Sequence, residues 1–202
     1  MEFKSNQSVW DVHYRTERSR QNFPDENVVR YIHHYLRNFS GVKKPAILDL
    51  GCGSGRNLRF LEDLGLFCVG SDFSFEALST QANVLQSTAV QLPFKDHSFD
   101  LIIAWGVLHY LPSEAILKAV DEILRVLSPQ GRFLGTLRSS EDTHLKEVLE
   151  KGDLQQGAAN LFSEEELRDI LSKFKSVHLG YISRVPIGSN RVIAHHMFEA
   201  IV

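Results

Sequence analysis

The sequence is poor in cysteine. Cys52 and Cys68 are the two in 202 residues, too few for a disulfide framework and not in metal-ligand spacing, so reduced thiols are expected and a zinc site is not. It is equally short of net charge: 22 basic and 25 acidic side chains leave -3, so no positive field stands ready for a phosphate backbone and nucleic acid is disfavoured as a partner. Long apolar runs are missing too. None approaches the roughly 18 residues of a membrane span, and the opening MEFKSNQSVWDVHYR is too polar for a secretory signal, so a cytoplasmic location with no membrane partner is expected. The sequence also lacks internal repeats and low-complexity tracts. What it has is the make-up of an ordinary folded domain, 43% hydrophobic and 23% charged, which argues against disorder.

Short apolar runs alternate with longer amphipathic ones, the pattern of parallel strands joined by crossover helices. Strands are expected at Ala46–Leu50, Phe67–Ser71, Ser87–Val90, Asp100–Ala104 and Arg132–Leu137. Helical spacing marks Leu58, Leu61 and Leu64 before Gly65, and Ile116, Val120, Ile123, Leu124 and Leu127 between Ser113 and Pro129. Ser163 with Glu166 forms a capping box that opens a helix with Leu167, Ile170, Leu171 and Phe174 inward. No helical stretch separates Ser176–Arg184 from Arg191–Val202, which read as an antiparallel hairpin turned at Pro186, Gly188 and Asn190. The fold class is therefore α/β, a mostly parallel sheet ending in an antiparallel hairpin.

Two segments lie outside this core. Residues 1–41 contain a helix beginning near Asp25, with Val28, Ile32, Leu36 and Phe39 on one face. Residues 139–161 are polar, with Gly152, Gly157 and one short helix over Leu145–Leu149. Both are placed to cover a cleft, the first as a lid and the second as a cap.

The chemistry concentrates in AILDLGCGSGRN, Ala46 to Asn57. An apolar strand runs into Gly51, Gly53 and Gly55, which permit positive φ and let a flat ligand approach the backbone at the carboxyl edge of the sheet. A phosphate-binding loop needs Lys and then Ser or Thr after the last glycine, where this chain has Arg56 and Asn57. The dinucleotide fingerprint GxGxxG is also missed, because these glycines are spaced GxGxG, which weakens a nicotinamide reading. Asp72 closes the next apolar run, in FCVGSDFS, where an acidic side chain can accept hydrogen bonds from two ribose hydroxyls.

In this order, DLGCGSGRN, VGSDFS, QLPFKDHSFDLIIAWGVLHYL and LRVLSPQGRFLGTL resemble the successive signatures of a class I S-adenosylmethionine-dependent methyltransferase. The resemblance implies a Rossmann-like, doubly wound, seven-stranded sheet over residues 42–202, with S-adenosylmethionine as cofactor. It implies that Asp49 and the backbone of Gly51, Cys52 and Gly53 hold the methionine end, that Asp72 holds the ribose, and that Phe73 and Val90 flank the adenine. Many relatives carry an Asp before Ala89, where this chain has Thr88, so adenine recognition departs from the pattern there. Trp105 falls at the wall of the methyl-donor cavity, and Tyr14 or Arg15 faces the donor carboxylate from a segment, Trp10 to Arg20, folded over it.

The resemblance points to methyl transfer onto an O, N or C nucleophile of a small metabolite. A protein or RNA substrate, or a non-catalytic module that binds an adenosine ligand, are the rivals. His109, four residues after Trp105, is the candidate base, since an imidazole can take a proton near neutral pH. The paired His33 and His34, the paired His195 and His196, and His97 in its polar turn are expected in solvent or structural roles, because adjacent side chains diverge on a helix or strand.

Overall fold

A computed structural model describes residues 2–16 (side chains from Gln7), 20–78, 82–145 and 159–202. The apolar runs become strands β1 (Ala46–Leu50), β2 (Phe67–Asp72), β3 (Val84–Gln86), β4 (Phe99–Ala104) and β5 (Leu127–Arg138), and the hairpin becomes β6 (Ser176–Arg184) and β7 (Ile193–Ile201). They form one seven-stranded sheet in the order β3-β2-β1-β4-β5-β7-β6. Pairings among the first five are parallel, whereas β7 runs antiparallel to both β5 and β6.

Side-chain alternation along the strands builds two cores. Ile47, Leu101, Ile103 and Leu134 point to one face, where α2 (Glu26–Asn38) and α3 (Arg56–Asp63) cover them. Leu48, Ile102, Phe133 and Leu137 point to the other, under α5 (Ser113–Val126) and the helix we label α6 (Glu164–Ile170). Each fully buried aliphatic contributes about 1.5–3 kcal/mol, which is why the central strands carry almost no polar residue. The helix starts are set by side chains. Asp25 accepts the Asn27 N–H at 2.9 Å to open α2, and Ser163 and Glu166 cap one another's backbone at α6. Two helices lie outside these layers at the carboxyl edge of the sheet: α1 (Glu2–Tyr14) and the short α4 (Phe75–Leu78).

The structure corrects two expected boundaries. The third strand is Val84–Gln86, not Ser87–Val90. Its partner β2 ends at Asp72, so once Ser87 has donated its N–H to the Asp72 carbonyl the chain has no strand left to pair with and turns at Thr88–Gln91. The fourth long helix ends at Val126 rather than near Pro129, and Leu127 to Pro129 already belong to β5. Proline disfavours helical geometry in the residue before it, here Ser128. The expected helix over Leu145–Leu149 lies, beyond Leu145, outside the described residues, as does most of the expected cap. Among the described residues no helix is long and apolar enough to cross a membrane.

Candidate functional site

Strand order reverses between β1 and β4, and the loops that leave their carboxyl ends line a crevice. After β1 the chain turns sharply, with Gly51 at φ 68°, and its amide donates to the Ser71 carbonyl at 2.6 Å. A β-carbon on Gly51 would overlap the Val107 side chain. Asp72, at the end of β2, ties this loop to the next, because its carboxylate accepts the Gly53 N–H at 2.8 Å and the Ser74 N–H at 2.9 Å. Burial pushes the Asp72 pKa up, and the neighbouring Asp11 adds to this while those N–H groups pull it back. After β4, Gly106 takes φ 78° and faces open space on the side where a β-carbon would stand.

Above the loops lies α1. Asp11 accepts the Ser74 hydroxyl at 2.6 Å, Arg20 donates to the Glu76 carbonyl at 3.0 Å, and Trp10 meets Tyr110 edge to face at 4.8 Å between centroids. Two cavities open beneath it. The narrower, of about 100 Å³, is lined by Gly51, Asp72, Phe73, Thr88, Ala89 and Val107 among others. The wider, of about 750 Å³, is lined by Cys52, Gly53, Trp105, His109, Arg138 and His195 among others. Trp10, Tyr14, Gly51, Gly106 and Tyr110 belong to both walls.

Most of the residues singled out in the sequence therefore meet at one place. Gly51, Asp72, Phe73, Ala89 and Tyr14 surround the narrow cavity, and Cys52, Gly53, Trp105 and His109 the wide one. Burial raises the pKa of both the Tyr14 phenol and the Cys52 thiol, keeping them protonated. Three lie apart from both cavities. Asp49 sits under the glycine loop with 1% of its surface exposed, its pKa pushed up to about 7 by burial, with Asn57 offsetting part of the cost. Val90 packs against the core beneath α5 and α6. Arg15 pairs with Glu76 at 3.3 Å on the outer side of α1.

His109 rides on a 3₁₀ turn, Leu108–Tyr110, rather than at the start of an α-helix. Asn160 fixes that turn, donating its backbone N–H to the His109 carbonyl and its amide to Leu111 O, both at 2.7 Å. The imidazole is 1% exposed, and neither ring nitrogen meets a hydrogen-bond partner among the described residues. Burial first, then Arg138 and His195, hold its pKa well below the ordinary histidine value, so the ring is neutral at pH 7. His195, expected in a solvent or structural role, lines the wide cavity, while its neighbour His196 turns to the other face against the Phe162 carbonyl. Sequence reading also passed over Gly106 and Val107. Their signal was a glycine two residues past the end of an apolar strand, close to the mark that identified the first loop.

Comparison with known proteins agrees with this geometry. Residues 48–135 match the family model described as a methyltransferase domain. An uncharacterized protein of Methanocaldococcus jannaschii is 30% identical over 131 residues, which cover 63% of this chain and 56% of that protein. The tRNA (carboxymethyluridine(34)-5-O)-methyltransferase of Arabidopsis thaliana is 36% identical over 106 residues, 49% of this chain and 26% of that enzyme. The chain thus spans little more than half of the first relative and about a quarter of the second. The 1,6-didemethyltoxoflavin-N1-methyltransferase of Burkholderia thailandensis, solved with S-adenosylhomocysteine, superposes with a TM-score of 0.65 at 18% identity, over 99% of this chain and 80% of that one. Residues 48–135, built around the glycine loop, thus match the methyltransferase-domain family, and the sheet that holds them has the fold of solved S-adenosylmethionine-dependent methyltransferases.

Proposed function

We propose that this protein transfers the methyl group of S-adenosylmethionine to an O, N or C nucleophile of a small metabolite. The observation that carries the reading is the pair of cavities with a common wall: a narrow one lined by loop backbone and one carboxylate, a wide one lined by polar side chains, joined at Gly51, Gly106 and Tyr14. That arrangement suits two ligands meeting end to end. Bound with its nucleoside in the narrow cavity and its methionine portion along the shared wall, the cofactor would supply a methyl group made electrophilic by its sulfonium.

The chain's own part is then chiefly placement, which accounts for several kcal/mol of a transfer barrier. Asp72 accepts the ribose hydroxyls, its carboxylate already aimed by the Gly53 and Ser74 amides. Phe73 and Ala89 flank the adenine, with Val90 backing them from the core. The backbone of Gly51, Cys52 and Gly53 runs along the methionine portion, and Asp49 braces that loop from below. Tyr14 closes over Gly53 toward the donor carboxylate, while Arg15 secures α1 through Glu76. Trp105 borders the reacting end, and Trp10 packed on Tyr110 keeps water from it. Where the acceptor must lose a proton, neutral His109 takes it on a ring nitrogen.

Thermal unfolding with S-adenosylmethionine, S-adenosylhomocysteine and NAD in separate samples tests the donor half. A ligand at a hundredfold excess over its Kd adds about 2.7 kcal/mol, so both adenosyl compounds should raise the midpoint by roughly 5 to 10 °C and NAD should not. No shift would overturn the enzyme reading in favour of a protein that only kept the fold. Radiolabelled methyl transfer into a metabolite extract tests the acceptor half, and label found in RNA or protein instead would replace the small-molecule assignment.

A further inference from the structure

The far wall of the wide cavity is a consequence of strand register. Arg138 on β5 stands opposite His195 on β7, which stands opposite Ile182 on β6, and residues paired in this way point to one face of the sheet. Arg184 lies two residues beyond Ile182 and so shares that face. Arg138, Arg184 and His195, with His144 from the segment that follows β5, all line the cavity. Three separate strand ends thus deliver two guanidinium groups and one imidazole to one surface, and the segment after β5 adds a second imidazole, next to the neutral His109.

The charges of this group are only partly spent within the chain. Arg138 pairs with Asp142 at 2.5 Å, yet its Nε is buried without a hydrogen-bond partner among the described residues. Arg184 forms no ion pair among those residues. Two acids stand on the same wall, and both are engaged by their own helix. Asp25 accepts from Asn27 at the start of α2, and Glu26 pairs with Arg30 at 2.9 Å. Arg56 adds a further cation where α3 begins. A buried donor with no acceptor costs about 1–3 kcal/mol, and a fork of N–H donors beside imidazoles is the surface that recognises a planar or tetrahedral oxyanion.

We propose that the wide cavity is built for an oxyanion, a carboxylate or a phosphate group carried by the methyl acceptor, gripped by Arg184 and Arg138 with His195 and His144. The acceptor is thereby an anionic metabolite whose nucleophile sits at the end nearer Gly106 and Trp105. This rests on the methyltransferase reading for the identity of the ligand, but not for the existence of the anion site.

The test separates the two. The full chain, with and without S-adenosylhomocysteine, is titrated with benzoate, phenyl phosphate and neutral benzamide while the imidazole resonances of His144 and His195 are followed by NMR. Saturable shifts of both signals with benzoate or phenyl phosphate, and none with benzamide, are expected. Arg184→Ala should weaken the effective anion at least tenfold and Arg184→Lys should restore part of it, with S-adenosylhomocysteine affinity unchanged. Response to benzoate alone assigns a carboxylate, and to phenyl phosphate alone a phosphate. Equal response to benzamide, silent imidazoles, or an Arg184→Ala variant that binds the anion normally would overturn the proposal. Failure of S-adenosylhomocysteine to bind would instead overturn the donor reading and leave the anion result standing.

Discussion

The two cavities under α1 are made of different materials. The narrow one is bounded largely by consecutive strand ends and the loops that leave them, Gly51 after β1, Asp72 closing β2, Ala89 after β3 and Gly106 after β4. The wide one takes its wall from side chains that are remote in sequence, from His13 on α1 to His195 on β7. On the proposed function the nucleoside lies where glycines let the main chain come close, so its site is fixed by the topology of the sheet. The proposed acceptor would be held by the side chains that face the remaining space, so its site is free to vary on an unchanged frame.

The largest effect expected from breaking this contrast is at Gly51. In Gly51→Ala a left-handed conformation costs about 1–2 kcal/mol, and overlap with Val107 adds about 1–3 kcal/mol. Thermal unfolding should show the loss, and S-adenosylhomocysteine should no longer bind. Gly106→Ala should pay the conformational cost alone, because its β-carbon meets nothing within 4 Å, and a Gly106→Ala variant as unstable as Gly51→Ala would refute the distinction. Next in size, His109→Gln should lower turnover about a hundredfold for an acceptor that must shed a proton, with donor affinity intact in calorimetry. Normal turnover would return His109 to a packing role. Asp72→Ala removes a charge-assisted bond worth about 1.5–3 kcal/mol, so donor affinity should fall about tenfold or more while anion binding in the wide cavity holds.

The smallest effect lies in pH. Asp49 keeps its proton up to about pH 7 in the folded chain, whereas an unfolded aspartate releases it near 3.9. The folded state binds more protons in that window, so this group lowers stability as pH rises through it. His195 slopes the other way: its folded pKa is about 4 against roughly 6.5 unfolded, and stability falls as pH drops between them. Asp49→Asn leaves the histidine slope alone, so the variant's melting midpoint should gain on that of the natural chain from pH 5 to pH 8. A constant difference would show that Asp49 is ionised in the folded protein.

The same contrast explains what could be read in advance. β1 and β6 were legible to the residue because short β-rich runs with turn residues at both ends define them. The glycine loop and Asp72 were legible because backbone geometry restricts residue choice at those positions. β3 was misplaced because its three residues are chosen by where β2 ends, a fact of pairing and not of local pattern. Arg138, Arg184 and His195 were invisible as a group, since only the register of β5, β7 and β6 brings them together. His195 and His196 were rightly expected to diverge, yet nothing in the sequence told which of them would meet a cavity.

Trp10 and Tyr14 stand in both cavity walls, and α1 carries them both. An adjustment of that helix made for one ligand would be felt by the other, and thermodynamic reciprocity would make the factor linking the two affinities the same in both directions. A donor that draws α1 inward and tightens the acceptor's hold fivefold must itself be held fivefold more tightly once the acceptor is present. On the proposed function, this helix would let the protein favour the complete pair over either ligand alone, in addition to whatever the ligands gain from each other.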